Sequence, residues 1–159
     1  MKIKAIDISS STLEMFKCLV EQFEIADTKR RSMALLNTKP GFQTWYSSHY
    51  GYPLIRDLFV IKRTREFSGV ERVINDAVES AGIGTHQVIM CSLDGVTIRG
   101  FSDALLDVTC PPVMLFSTTI CKKGYVLNIA EDHEYWFSAD LWEKLRIKTN
   151  LWIEPKKKK

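Results

Sequence analysis

Asp94-Gly95 constrains the fold of this chain more than any other pair of residues. It lies between two β-prone runs, HQVIMCSL at 86–93 and VTIRGF at 96–101. A type I′ turn of two residues needs a positive φ at both positions, which Asp and Gly tolerate, so the pattern predicts a tight β-hairpin. Because a hairpin places its two strands antiparallel, the chain is predicted to contain an antiparallel sheet.

Further β-prone runs and helical patterns extend this prediction. The β-prone runs cover 2–8, 54–63, 112–120, 124–130 and 147–153. Helical patterns cover 11–36, as one helix or as two with Asp27 capping the second, and 70–82, with a short helix from Ser138. The predicted fold is α+β, with a mostly antiparallel sheet of about six or seven strands packed by two or three helices. Residues 54–92 could form one βαβ unit within it.

Two local signals set the ends of the first helical region. Ser11 and Glu14 have the spacing of a capping box, which predicts a helix start at Ser11. Lys39-Pro40-Gly41 is expected to end the region, because proline pushes its predecessor out of the helical conformation. The residues that follow are therefore predicted to form a connection.

The composition is that of a globular domain. The 159 residues are 45% hydrophobic and 26% charged, which is too apolar for a disordered chain. We expect one domain at 1–154 and a flexible basic tail at 155–159. No apolar run is long enough to span a membrane and no secretory signal is evident at the start, so the sequence favours a cytoplasmic protein without a membrane partner.

The cysteines agree with a reducing compartment. Cys18, Cys91, Cys110 and Cys121 are widely spaced and form no pair with metal-binding spacing. Two disulfides are conceivable, but free thiols are expected in the cytosol. Cys18 and Cys91 lie in apolar stretches and are predicted to be buried.

The segment FQTWYSSHYGYP, residues 42–53, holds five aromatic rings and a histidine. Phe42 and Trp45 are predicted to be buried, because aromatic side chains dominate core packing. Tyr46, Tyr50 and Tyr52 are expected to be at least partly exposed. Exposed tyrosines next to basic residues suit either stacking on nucleic-acid bases or a protein interface.

Basic residues occur in several short clusters. The net charge is +3, and the four lysines at 156–159 account for more than all of it, so the body of the chain is close to neutral. A nucleic-acid surface would therefore depend on local clusters and on the tail. The predicted binding residues are Tyr46, His49, Tyr50, Tyr52, Arg30, Arg31, Arg63, Arg65, Lys156 and Lys157.

The sequence leaves three classes of function open. The first is a small non-catalytic regulatory protein that binds nucleic acid through rings and basic residues. The second is a protein-interaction module, such as an inhibitor or an assembly factor, that uses the same rings. The third is an enzyme whose site combines acids with His49, His86 or His133. No phosphate-binding loop, nucleophile motif or metal-ligand spacing is found, so no catalytic residue, metal or cofactor is predicted.

The densest polar cluster is Glu131-Asp132-His133-Glu134. It could bind a metal or raise the pKa of the histidine. Neighbouring side chains of an extended chain point to opposite faces, so at most two of them share a side. A solvated turn is the favoured interpretation.

Overall fold

The computed structural model describes residues 6–24, 26–49, 62–63, 70–130 and 135–149. Within them the chain forms seven helices and six strands. The helices are α1 (Ser10–Phe23), α2 (Ala26–Leu35), α3 (Lys39–His49), α4 (Val70–Ser80), α5 (Phe101–Leu106), α6 (Ile120–Lys123) and α7 (Ala139–Thr149). The strands are β1 (Lys62–Arg63), β2 (Gln87–Ser92), β3 (Gly95–Gly100), β4 (Val113–Ser117), β5 (Val126–Ile129) and β6 (Tyr135–Phe137).

The strands form one sheet in the order β1-β6-β5-β4-β2-β3. Every pair of neighbours is antiparallel, so the predicted α+β class with an antiparallel sheet is confirmed. Counted by strands of three or more residues, the sheet has five, slightly fewer than the six or seven predicted; β1, with two residues, is the sixth. The number of helices was predicted too low.

The two strands described within the predicted βαβ unit at 54–92, β1 and β2, are not neighbours in the sheet. β1 and β2 run in the same direction, because an even number of antiparallel pairings separates them. However, β6, β5 and β4 lie between them. Both strands therefore have only antiparallel neighbours, and the ranges 54–61 and 64–69 lie outside the described residues.

The sheet is packed on both faces, which makes a three-layer arrangement. On one face Ile89, Met114, Phe116 and Val126 join residues of α1 and α3 in a buried cluster. On the other, alternate strand residues such as Val88, Leu115 and Leu127 pack against α4, α5 and α7. Since neighbouring residues of one strand face opposite clusters, β4 and β5 are buried throughout.

The aromatic segment is helical over residues 42–49, so the prediction of a connection was wrong there, and residues 50–53 lie outside the described part of the chain. α3 runs from Lys39 to His49, so Pro40 lies in its first turn. Proline is tolerated there because the first N–H groups of a helix have no intrahelical partner. Phe42, Trp45, Tyr46 and His49 have the i, i+3, i+4, i+7 spacing of one helix face, and this spacing was the overlooked signal.

Several helix boundaries differ from those predicted. The N-cap of α1 is Ser9, whose Oγ accepts a hydrogen bond from the Thr12 backbone N–H, and not Ser11. The alternative of two helices before Leu36 is confirmed by α1 and α2. α7 continues to Thr149, so the predicted strand at 147–153 is wrong for its first three residues. The remaining residues of that run lie outside the described part of the chain.

The hairpin at 86–101 is confirmed, with its turn one residue earlier than predicted. β2 pairs with β3 from Gln87 opposite Gly100 to Ser92 opposite Gly95. The turn is therefore Leu93-Asp94, and Gly95 begins β3 with a φ of 120°. Gly82 follows the end of α4 and has a φ of 74°, the left-handed conformation that glycine favours just after a helix.

Two of the four cysteines form a disulfide, which corrects the prediction of free thiols. Cys18 on α1 is bonded to Cys121 on α6. Cys91 is free and buried, and Cys110 is free and exposed. Burial raises the pKa of the Cys91 thiol well above its ordinary value, so this thiol stays protonated. None of the described helices is long and apolar enough to cross a membrane.

Candidate functional site

Tyr46 is buried, which contradicts its predicted exposure. Its side chain is 1% exposed, and its hydroxyl donates to the backbone carbonyl of Ser92 at 2.7 Å. The same oxygen lies 3.4 Å from the carbonyl of Gly95. The polar end of the ring therefore satisfies backbone groups at the hairpin turn, because a buried hydroxyl needs a partner. Tyr46 joins the predicted buried residues Phe42 and Trp45 in the core.

His49 is half-buried at the end of α3. Its ring stacks on Trp45 with a centroid distance of 4.9 Å. Its Nδ1 lies 2.9 Å from the backbone carbonyl of Trp45, so the Nδ1–H tautomer donates there. Burial lowers the pKa of His49 below its ordinary value of 6.5, and the charge of Arg31 adds to the effect. The bond to Trp45 and the charge of Glu24 oppose it. The neutral imidazole is therefore the form that the fold favours.

The remaining predicted binding residues are only partly brought together. Arg30 and Arg31 are exposed on α2, which packs against α3, and Arg31 acts electrostatically on His49. Arg63 belongs to β1, opposite Trp136 at the far edge of the sheet. Tyr50, Tyr52, Arg65, Lys156 and Lys157 lie outside the described residues, as does the cluster at 131–134.

The two described histidines do not share a site. His49 stacks on Trp45, which belongs to the cluster on one face of the sheet. His86 stacks on Tyr125, which belongs to the cluster on the other face. His133 lies outside the described residues. Within the described ranges no three His, Cys, Asp or Glu side chains come close enough to hold a metal ion.

A buried carboxylate that the sequence analysis missed acts electrostatically on His49. Glu24 is 4% exposed, and its Oε1 accepts hydrogen bonds from Thr28 Oγ1 at 2.7 Å and Ser32 Oγ at 2.6 Å. Among the described residues Oε2 has no hydrogen-bond partner. The spacing of Glu24, Thr28 and Ser32 is helical, but the turn between α1 and α2 hid it from sequence analysis.

β3 is an edge strand along most of its length. Among the described residues it pairs with β2 alone. It has six residues and no proline, and its one charged side chain, Arg99, forms an ion pair with Asp107, so few of the features that commonly protect such edges from pairing are present. Ile98 near its middle is 49% exposed, and Leu106 on the adjoining α5 is 68% exposed. These are the exposed large apolar side chains of the described chain.

The hydrogen-bond pattern shows which backbone groups of β3 point away from the sheet. The Phe101 N–H donates to the carbonyl of His86, so alternate residues of β3 from Gly95 onward bond to β2. The N–H and carbonyl groups of Val96 and Ile98 therefore point outward. An additional strand could pair with them without disturbing the hairpin.

A cleft lies beside β3 on the face from which Thr97 and Arg99 project. Its volume is about 220 Å³. The lining side chains are apolar at Met90, Leu93 and Val113, hydroxylic at Ser92, Thr97 and Thr109, charged at Asp94, Arg99 and Asp107, and a thiol at Cys110. Arg99 forms an ion pair with Asp107. Asp94 has no ion-pair partner among the described residues, so the cleft has one uncompensated negative charge.

Comparisons with known proteins found no family model, curated protein or solved structure that matches this chain.

Proposed function

We propose that this protein is a protein-interaction module that takes an extended segment of a partner protein as an additional strand along β3. The observation that carries the proposal is the outward-facing backbone of Val96 and Ile98, on an edge strand that pairs on one side only among the described residues. Unpaired strand edges bind extended peptides through main-chain hydrogen bonds, while alternate side chains provide specificity.

The side chains near β3 support a protein partner. Ile98 on this edge strand is an apolar side chain that is 49% exposed, and a strand added beside β3 would cover part of it. The burial of Tyr46 removes one of the rings expected to stack on bases, and this shifts the balance from nucleic acid towards a protein.

The test uses a synthetic acetylated peptide, Ser-Thr-Val-Lys-Val-Thr-Ser, and isotope-labelled protein observed by NMR. We expect the amide signals of Val96 and Ile98 to shift and their hydrogen exchange to slow as the peptide is added. Ile98→Pro removes an outward N–H while leaving the bonds to β2, so it should abolish binding. Ile98→Val, which keeps both the N–H and an apolar side chain, should retain it.

Two results would overturn strand addition at β3. One is the absence of any shift in β3 at millimolar peptide, and the other is undiminished binding by a folded Ile98→Pro protein. If that variant does not fold, the peptide is N-methylated at the residue that donates to β3. Undiminished binding of the methylated peptide to the unaltered protein would overturn the proposal equally well.

Nucleic-acid binding is the second candidate, and the exposed pair Arg30 and Arg31 on α2 favours it. Neighbouring arginines on a solvent-facing helix can contact phosphates, and such binding weakens steeply with salt. The test measures fluorescence anisotropy of labelled single-stranded and duplex oligonucleotides at low and moderate salt. Salt-sensitive binding that survives removal of 156–159 and is lost in Arg30→Ser/Arg31→Ser would support this candidate. Its absence at low salt would exclude it.

A further inference from the structure

We infer that the cleft beside β3 binds a lysine side chain of the added segment, an assignment that rests on the proposed function. An added strand places every second side chain on the face from which Thr97 and Arg99 project. A residue opposite Thr97 therefore projects over the cleft. Its two neighbours lie on the other face, opposite Val96 and Ile98. The segment recognised is thus an apolar–lysine–apolar sequence in extended conformation.

The lining of the cleft matches the two parts of a lysine side chain. Met90, Leu93 and Val113 give an apolar floor for the aliphatic stem, which lysine buries along apolar surface while its ammonium group stays near polar atoms. At one end Arg99 is already neutralised by Asp107. At the other end Asp94 provides the unpaired carboxylate, with Ser92 beside it as a hydrogen-bond acceptor.

The charge distribution also selects against other side chains. An acidic residue would meet the carboxylates of Asp94 and Asp107, and like charges brought together at an interface oppose binding. An aliphatic residue would fill the floor but leave Asp94 with no new partner. The cleft volume of about 220 Å³ exceeds that of one lysine side chain, so water can complete the contacts of the ammonium group.

Cys110 offers a direct readout of occupancy of the cleft. It lines the cleft and is exposed and free, whereas Cys91 is buried and the other two cysteines are bonded to each other. All four cysteines of the chain are thereby accounted for. A lysine side chain in the cleft should slow alkylation of Cys110 by iodoacetamide, as measured by mass spectrometry under non-reducing conditions.

The experiment compares three acetylated peptides that differ only at the central residue of Ser-Thr-Val-Xaa-Val-Thr-Ser, with lysine, norleucine or glutamate as Xaa. We expect the lysine peptide to bind about fivefold more tightly than the norleucine peptide, the effect of one partly exposed ion pair. The glutamate peptide should bind more weakly than either. Only the lysine peptide should give strong protection of Cys110 from alkylation.

A substitution in the protein completes the test. Asp94→Asn should remove most of the preference for lysine over norleucine, because Asn suits the turn equally well but carries no charge. Asp140→Asn, at an exposed carboxylate on α7, is the matched control and should leave the preference for lysine over norleucine unchanged.

The outcomes separate failure of this inference from failure of the proposed function. If all three peptides shift the amide signals of β3 and bind with equal affinity, strand addition stands and the lysine site is wrong. If no peptide shifts these signals, both proposals are wrong. If the preference for lysine survives Asp94→Asn, the assigned carboxylate is wrong. A dimer that Ile98→Pro dissociates would assign the edge to a second copy of this chain and overturn both proposals.

Discussion

The hydroxyl of Tyr46 on α3 donates to the backbone carbonyl of Ser92 at the tip of the β2–β3 hairpin, at 2.7 Å. This bond ties a helix on one face of the sheet to the end of the strand pair that presents the β3 edge. Tyr46→Phe keeps the ring and removes only the donor. We expect a loss of about 1 kcal/mol in the free energy of unfolding, measured by urea denaturation.

The matched control for Tyr46 is Ser92→Ala. It keeps the carbonyl that Tyr46 contacts and removes only the long hydrogen bonds of the Ser92 hydroxyl, at 3.3 Å from the Asp94 N–H and at 3.4 Å to the Gly95 carbonyl. The loss should therefore be smaller than for Tyr46→Phe. An unchanged stability of Tyr46→Phe would show that the bond contributes nothing. Unchanged stability together with weakened nucleic-acid binding would restore the earlier expectation that the tyrosine faces a ligand.

Ser32→Ala should destabilise the protein by about 1–3 kcal/mol, measured by urea denaturation. Ser32 is buried and its hydroxyl donates to Glu24 Oε1 at 2.6 Å. Since Oε2 has no hydrogen-bond partner among the described residues, the substitution leaves the buried carboxylate with fewer donors, which is costly. Ser47→Ala, at an exposed serine on α3, is the control and should change stability by less than about 0.5 kcal/mol. Equal effects of the two variants would contradict this account.

Stability should fall as the pH drops below the ordinary His49 pKa of 6.5, because the pKa of His49 in the fold is lowered, chiefly by burial. The unfolded chain then binds a proton that the folded chain resists, so protonation favours unfolding. The loss begins near 6.5 and levels off below the lowered pKa. Above 6.5 the residue has no such effect, since it is neutral in both states.

The pH effect is measured as the difference in unfolding free energy between the unaltered protein and His49→Gln, at several pH values from about pH 8 to about pH 5. Gln can donate to the carbonyl of Trp45 and does not titrate. The difference should move in favour of His49→Gln at the acidic end. A difference independent of pH would contradict the burial-induced shift. His86→Gln is the control for an exposed histidine.

The disulfide between Cys18 and Cys121 should contribute about 2–4 kcal/mol to the free energy of unfolding. It closes a long loop, because the bonded cysteines are 103 positions apart in the sequence, and cross-links limit the freedom of the unfolded chain. In urea denaturation without reductant, Cys18→Ser/Cys121→Ser should be less stable than the unaltered protein by this amount. Reductant should lower the stability of the unaltered protein but not that of the double variant. Cys110→Ser, at an exposed free thiol, should behave like the unaltered protein. Equal stabilities with and without reductant would contradict the prediction.

Local patterns predicted the parts of the fold that depend on neighbouring residues. The β2–β3 hairpin followed from turn chemistry, and the helix predicted at 70–82, observed as α4, followed from helical spacing. Trp45 was correctly predicted to be buried. These features are set by periods of two or by spacings of three and four residues, which a sequence displays directly.

The parts that were missed depend on contacts between distant residues. Tyr46 was expected to be exposed because its partner, the carbonyl of Ser92, belongs to a different element. The pairing of Cys18 with Cys121 likewise requires α1 to lie beside α6, and spacing alone cannot show this. The β3 edge becomes visible only when the strand order is known. The signals for α3 were present, but the tolerance for proline in a first helical turn outweighed its usual effect as a helix breaker.

The strand order also sets a condition on how the chain can assemble. β1 is held in the sheet by β6, so Lys62 can pair only after Phe137, its partner, has been synthesised. The β2–β3 hairpin, by contrast, needs only neighbouring residues and can form as soon as it is made. During translation the β3 edge can therefore form before the sheet is complete. A chain released before Tyr135 would present β3 on an unfinished fold, with β1 left without its neighbour.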